Sequence, residues 1–112
     1  MPIDETIGAI SDLVKAGYVR AIGLSEVGSE TIRRAAKVHL ITDLQIEYAI
    51  TSRSLEQSIL STCRELGIDI TAYGVLGCGL LGGKWRQDQS AQAGDIRSII
   101  PRFQDENLQK KT

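Results

Sequence analysis

Whatever chemistry this sequence holds is concentrated in one glycine run and in three side chains that precede or enter it. Ile70 to Gly83, Ile-Thr-Ala-Tyr-Gly-Val-Leu-Gly-Cys-Gly-Leu-Leu-Gly-Gly, reads as a strand entering a glycine-rich loop. Glycines let a backbone turn tightly and bring its N–H groups close to an anion, so a phosphate-sized ligand suits such a loop. The same residues also make a plain turn, and taken alone that is the first reading. Ser25, Gln45 and Tyr73 add weight to the other reading. Each falls on a short segment of strand character, and period-two alternation puts all three in the same phase.

The segments that must position them follow in order. Ile3, Ile7, Ile10 and Val14 recur at helical spacing, with Asp4 and Glu5 in the first turn and Gly17 where a C-terminal cap belongs. Val19 to Ser25 reads as a strand. Ser29 is a candidate N-cap for a helix over Glu30 to Val38, with Ile32, Ala35 and Ala36 inward and Arg33, Arg34 and Lys37 on the solvated side. His39 is then a residue of the helix end. Thr42 to Ala49 alternates as a second strand. Ser54 and Gln57 form a capping box ahead of Leu55, Ile59, Cys63 and Leu66, which share one helical face, so Cys63 reads as core and not as a nucleophile. Gly67 closes this helix and leads into the strand Ile68 to Tyr73, as Gly17 closes the first and leads into Val19. Two helix–strand units of about 25 residues each fit that interval. Strands and helices alternating in this way imply an α/β fold with parallel strands.

The strand phases separate two faces. Ile22, Leu24, Leu44, Ile46, Ile70 and Ala72 share one and must pack on the helices; Gly23, Ser25, Gln45, Glu47, Thr71 and Tyr73 share the other. A doubly wound sheet is apolar on both sides, so the small and polar second face suits the inside of a barrel near a binding site, or else the wetted side of a small open sheet. Beyond Gly83 the chain turns polar without helical or strand period. Asp95-Ile96-Arg97 and Pro101-Arg102-Phe103 interrupt this tract, and Asn107 to Lys111 reads as the opening of a helix. The expected organisation is helix–strand units over 1–84 and a polar loop with the start of a helix over 85–112.

Composition sets bounds on partners. The 112 residues are 42% hydrophobic and 24% charged, as in ordinary soluble globular proteins, and amount to one domain at most. Thirteen basic and 14 acidic residues are interspersed, giving a net charge of −1 and no footprint for nucleic acid or an anionic membrane. Cys63 and Cys78 lie far apart, and His39 is the single histidine, so neither a zinc site nor a disulfide framework is expected. No apolar run is long enough to span a bilayer, and Asp4 and Glu5 stand where a signal peptide would be basic. A cytoplasmic, reduced protein is expected.

Three stretches together resemble the second half of an aldo-keto reductase: Ala16 to Glu26, Leu44 to Tyr48, and Ala72 to Gly83. Pro101-Arg102-Phe103 with Glu106-Asn107 resembles a stretch of some members. The resemblance implies a partial (β/α)8 TIM barrel in which these strands are the fifth, sixth and seventh, and a function as part of an NADP(H)-dependent oxidoreductase of carbonyls and alcohols. It makes Ser25 and Gln45 the partners of the nicotinamide carboxamide and stacks Tyr73 on the nicotinamide. The loop from Gly74 through Leu76 to Gly79 would then cradle the pyrophosphate with backbone groups. Gly74 stands where the family usually has a serine and Cys78 where it often has an arginine or serine, and both changes remove side-chain contacts to phosphate. The family's catalytic Asp, Tyr, Lys and His belong to the first four strands, so no catalytic residue is expected here, and Tyr18, Tyr48 and Tyr73 match other positions. A small carbonyl substrate is expected only in a completed barrel. Two open sheet edges and an uncovered inner face lead to an expectation of homo-oligomers or of association with a complementary chain. The competing reading of the same features is a non-catalytic half-barrel that serves as an interaction module.

Overall fold

The computed structural model describes residues 1–85, 91–104 and 107. Its elements are α1 (Ile3–Lys15), β1 (Ile22–Ser25), α2 (Ser29–Val38), β2 (Ile41–Glu47), α3 (Ile59–Leu66) and β3 (Asp69–Tyr73). These six lie in the first of two compact units, Met1–Val75; the second is Leu76–Thr112.

In the first unit the strands form one parallel sheet in the order β1-β2-β3. Ile22, Leu24, Ile41, Leu44 and Ile46 are buried with Ile7, Ile32 and Ala35 of the helices, and Ile3, Ile10, Val14 and Ala36 pack against this cluster. The expected stripes of α1 and α2 are therefore the ones that meet the sheet. Leu55, Cys63 and Ile68 complete the core. Arg33 and Arg34, expected only to be solvated, also link helices: Arg33 reaches Glu65 on α3 at 2.6 Å and Arg34 reaches Asp4 on α1 at 2.6 Å.

Local closures set where each strand begins. At the end of α1 the Tyr18 N–H donates to the Leu13 carbonyl and the Gly17 N–H to that of Val14, both at 3.0 Å. At the end of α3 the Ile68 N–H donates to Cys63 at 2.9 Å and the Gly67 N–H to Arg64 at 3.4 Å. Both are Schellman closures, with Gly17 at φ 83 and Gly67 at φ 65 in the left-handed region the motif requires. Val19 still donates to Leu13 at 3.4 Å, so β1 starts at Ile22 and not at the expected Val19.

Both serine caps are corrected. Gly28, extended at φ −78 and ψ 165, caps α2, while the Ser29 hydroxyl donates across to the Ser58 hydroxyl at 3.1 Å. Ser54 to Gln57 forms a separate 3-10 turn with no side-chain cap, and α3 starts only after Ser58 breaks the helical path at φ −151. The carbonyl of Ser58 then accepts both the N–H and the hydroxyl of Thr62, at 3.1 and 3.0 Å. His39 ends α2, its Nδ1 2.9 Å from the Leu40 carbonyl.

Strand β2 runs Ile41–Glu47, one residue earlier at its start than expected and two residues shorter at its end. Ile41 and Leu44 are both buried although three residues apart, which strict alternation forbids. A register shift reconciles them: Ile22 pairs with Ile41 but Gly23 with Asp43, leaving Thr42 as an extra residue. On β3 the expected inward set holds only partly. Ile70 packs against the core, but Ala72 is exposed, because α3 precedes β3 and no helix of this unit follows it.

The second unit contains 3-10 turns at Gly77–Gly82, Ile96–Ser98 and Pro101–Phe103. Trp85 meets Phe103 edge to face with centroids 4.8 Å apart, and Phe103 is buried. Apart from Asn107, the helix expected to open near Asn107 lies outside the described residues, as does Glu106. Among the described residues no helix is long and apolar enough to cross a membrane.

Candidate functional site

Within the first unit the strand register brings the expected residues of the sheet together. Ser25 pairs with Gln45, and Gln45 with Thr71; one row further toward the C-terminal ends of the strands, Glu47 pairs with Tyr73. Ser25, Gln45, Thr71 and Tyr73 are all exposed, whereas Leu24, Leu44 and Ile46 between them are buried. The Thr71 hydroxyl donates to Asp43 at 2.9 Å, tying β3 to β2 on this side. On β1 and β2 the apolar and polar faces are thus divided as the strand phases imply, while on β3 Ala72 departs from them. Among the described residues, no side-chain hydrogen bond engages the Ser25 hydroxyl or the Gln45 amide, and both remain available to a ligand.

Glu26 completes this face, and sequence reasoning gave it no part. It takes φ 52, a left-handed conformation that is uncommon for a residue with a side chain. Its N–H donates to the Gln45 carbonyl at 3.0 Å, and its Oε1 accepts the Glu47 N–H at 2.7 Å. The same carboxylate lies beside the Tyr73 hydroxyl, and its interaction first, then burial and the charge of Glu47, holds the phenol above its ordinary range. One side chain therefore continues the β1–β2 ladder beyond its end and flanks the Tyr73 ring, which is 44% exposed. The only signal in the sequence is an acid directly after Ser25, and periodicity cannot read that.

Gly74 follows Tyr73 at φ 67. A Cβ there would lie 3.1 Å from Cγ of Glu47, whose Oε1 accepts the Ser52 hydroxyl at 3.2 Å. Glu47 occupies the space that a serine at this position would need.

Leu76 and Gly79 belong to the second unit. The Leu76 carbonyl accepts the Gly79 N–H at 3.1 Å and the Leu81 N–H at 3.2 Å. Gly79, at φ 90, thus turns its own N–H inward and offers no donor of its own. Cys78 is exposed at φ 57. Arg97 lies nearby: a Cβ on Gly79 would stand 3.8 Å from its Nη1.

A cleft of about 400 Å³ in the first unit is lined by Tyr48, Ala49, Ile50, Arg53, Glu56, Ala72 and Val75, and by none of the expected site residues of the sheet. Its polar groups are engaged with each other. Glu56 accepts the Tyr48 hydroxyl at 2.7 Å and a two-pronged contact from Arg53 at 3.0 and 2.8 Å. Arg53 and Tyr48 accordingly hold the Glu56 carboxyl below its usual range. This is an apolar notch beside the uncovered end of β3, with its charges already paired. Among the described residues no three His, Cys, Asp or Glu side chains are grouped to hold a metal.

The model of the Aldo/keto reductase family matches residues 1–108. The chain belongs to the aldo-keto reductase family. It is 46% identical over 110 residues to probable aldo-keto reductase 1 of Glycine max, a match covering 98% of this chain and 32% of that protein. Its fold superposes with a TM-score of 0.91 on a glycerol dehydrogenase of Gluconobacter oxydans, at 32% identity, covering 98% of this chain and 34% of that one. An aldo/keto reductase of Klebsiella pneumoniae, solved with NADP and acetate, matches with a TM-score of 0.64 at 26% identity over 70% of this chain and 29% of its own. This aldo-keto reductase chain spans about a third of the length of the relatives it matches. Its three parallel strands and flanking helices are a partial TIM barrel of the family's kind.

Proposed function

We propose that this chain carries the nicotinamide and pyrophosphate side of the NADP(H) site of a carbonyl and alcohol oxidoreductase. The observation that carries the reading is the paired row of Ser25 and Gln45 on the exposed face, with Tyr73 one row beyond at the strand ends. A hydroxyl and a carboxamide side by side can donate to and accept from the carboxamide of a nicotinamide. The exposed Tyr73 ring, at the strand ends beside Glu26, offers a flat surface on which a nicotinamide can stack. The Klebsiella pneumoniae neighbour, solved with NADP, supports the choice of nucleotide. In the second unit, the lack of a side chain at Gly79 suits close approach of a diphosphate.

When bound, NADPH would supply the hydride for carbonyl reduction. The residues of this chain would hold and orient the nicotinamide, and none of Tyr18, Tyr48 or Tyr73 would serve as its proton donor in this reading. Tyr73 in particular has its phenol shifted away from easy ionisation by the neighbouring Glu26. The 112-residue chain is therefore expected to bind NADPH without reducing simple aldehydes, since hydride delivery needs a proton for the developing alkoxide.

Titration of NADPH into the chain, followed by thermal unfolding, tests the proposal. A ligand at 100 times its Kd stabilises the folded state by about 2.7 kcal/mol, which is readily seen as a rise in Tm. Gln45→Ala and Tyr73→Ala are expected to weaken binding about tenfold each, the scale of one hydrogen bond or one stacking contact. No protection of the wild-type chain by millimolar NADPH would reject the reading.

A further inference from the structure

We propose that Glu26 makes this site discriminate between the two charge states of the nicotinamide, its carboxylate favouring the cationic oxidised ring over the neutral reduced one. The inference rests on the reading of the Ser25–Gln45 row and Tyr73 as the nicotinamide surface.

Strand phase alone would turn Glu26 away from that surface. Ser25 is on the exposed face, so the next residue of a regular strand would point toward the helices. The left-handed conformation at φ 52 breaks this alternation. It leaves the Glu26 N–H on the Gln45 carbonyl at 3.0 Å and brings Oε1 to the Glu47 N–H at 2.7 Å. Such a conformation costs free energy in a residue with a side chain, and these two bonds hold it. Glu47 is the register partner of Tyr73, so the carboxylate stands in the row of Tyr73, beyond Ser25 and Gln45. It also lies beside the Tyr73 hydroxyl, on the side of the sheet that this ring occupies. Neighbouring strands are about 4.8 Å apart, which puts the carboxylate within about 8 Å of a ring stacked on Tyr73 with its carboxamide at Ser25 and Gln45.

A nicotinamide seated there meets a negative charge. Among the described residues no basic side chain pairs with Glu26, and the backbone N–H that its carboxylate accepts does not neutralise it. Glu47, the other acid of this row, has its Oε1 committed to the Ser52 hydroxyl at 3.2 Å. The oxidised nicotinamide is a pyridinium with a full positive charge, the dihydro ring is neutral, and the rest of the dinucleotide is the same in both. Attraction to Glu26 therefore acts on one form only. At a partly solvated site a carboxylate at this range favours a cation by about three- to tenfold. Reduction of the ring moves two electrons, so a tenfold preference lowers the potential of the bound couple by about 30 mV and makes the bound reduced form the better hydride donor.

The alternative is that Glu26 only closes the end of the β1–β2 ladder, and the ratio of two affinities separates the roles. NADP⁺ and NADPH are titrated into the wild-type chain, Glu26→Gln and Glu26→Asn, the last replacing it with an uncharged residue that tolerates left-handed φ. A purely structural loss weakens both forms alike. Loss of the charge is expected to lower the preference for NADP⁺, the Kd of NADPH over that of NADP⁺, by about three- to tenfold in either variant. An unchanged ratio in a folded variant overturns the proposal while the cofactor reading stands.

A second readout needs no substitution. Phosphate charges are common to both forms and cancel in the ratio, which leaves the ring charge as the part that salt can screen. The wild-type ratio should fall as ionic strength rises from about 0.01 M to about 1 M, where the screening length shrinks from about 30 Å to about 3 Å. A ratio that stays level across this range overturns the proposal even if neither variant folds. A wild-type chain that binds neither form overturns the proposal together with the cofactor reading.

Discussion

The phenol of Tyr73 lies beside the carboxylate of Glu26, so the last residue of β3 meets the first residue after β1, across the strand between them. The carboxylate raises the phenol above its ordinary value of 10.0. Replacement of Glu26 by Gln keeps a side chain of the same shape and removes the charge. The phenolate absorbance of Tyr73 should then appear at lower pH, though not at the free value, because Glu47 also contributes. The sign for stability follows from the raised value. The folded chain holds the phenolic proton more tightly than the unfolded chain, so this contribution is complete below about pH 10 and is lost as pH rises through the folded value. Unfolding curves for wild type and Glu26→Gln should converge on the alkaline side; curves that stay parallel to high pH would refute the coupling.

The two thiols should differ sharply. Cys63 is 1% exposed, and burial, with the charge of Asp43, pushes its thiol up, whereas Cys78 is exposed in its turn. A thiol reagent counted by absorbance should label one cysteine per native chain and two after denaturation. Peptide mapping should place the native label on Cys78. Fast native labelling of Cys63 would show that α3 does not seal the core.

Ile32 is wholly buried where α2 meets the sheet. Ile32→Ala leaves a cavity and should cost about 2–5 kcal/mol, a large fraction of the stability of any small domain. Urea unfolding should show a lower midpoint with unchanged slope. A midpoint equal to that of wild type would mean that α2 does not hold its packing in solution.

The three-stranded sheet leaves β1 and β3 with one outer edge each, and Ile50, Ala72 and Val75 are exposed beside the end of β3. Unpaired edges next to apolar surface favour association. The 112-residue chain is expected to sediment as a dimer or larger species, and Ile50→Lys to shift it toward monomer. A compact, cooperatively unfolding monomer at high concentration would overturn this.

The two faces of the sheet were legible in the sequence because side-chain direction alternates along any strand, and Ser25, Gln45 and Tyr73 needed only that rule to share a face. Gly17 and Gly67 were legible for a similar reason, since their closures are built from residues within five positions. What could not be read depends on neighbours far along the chain. Ser29 looks like a cap in isolation, but Ser58, 29 positions away, takes its hydroxyl. Ala72 has the inward phase but no helix above it. Glu26 becomes part of the candidate site only because Glu47 and Tyr73 arrive beside it.

The extra residue at Thr42 has a consequence beyond β2. In a closed barrel, the stagger of each strand against the last adds up around the ring and fixes tilt and diameter together. Thr42 is left out of that count: Ile41 still meets Ile22 and Asp43 meets Gly23, so the extra residue does not change the level at which Gln45 stands beside Ser25. Strand β3, paired without interruption from Asp43 to Glu47, inherits that level. Deleting Thr42 would place Ile41 two positions before Leu44, in the same inward phase, and leave Gln45 opposite Ser25. A change of length at the far end of the strand is thus absorbed before it reaches the exposed row.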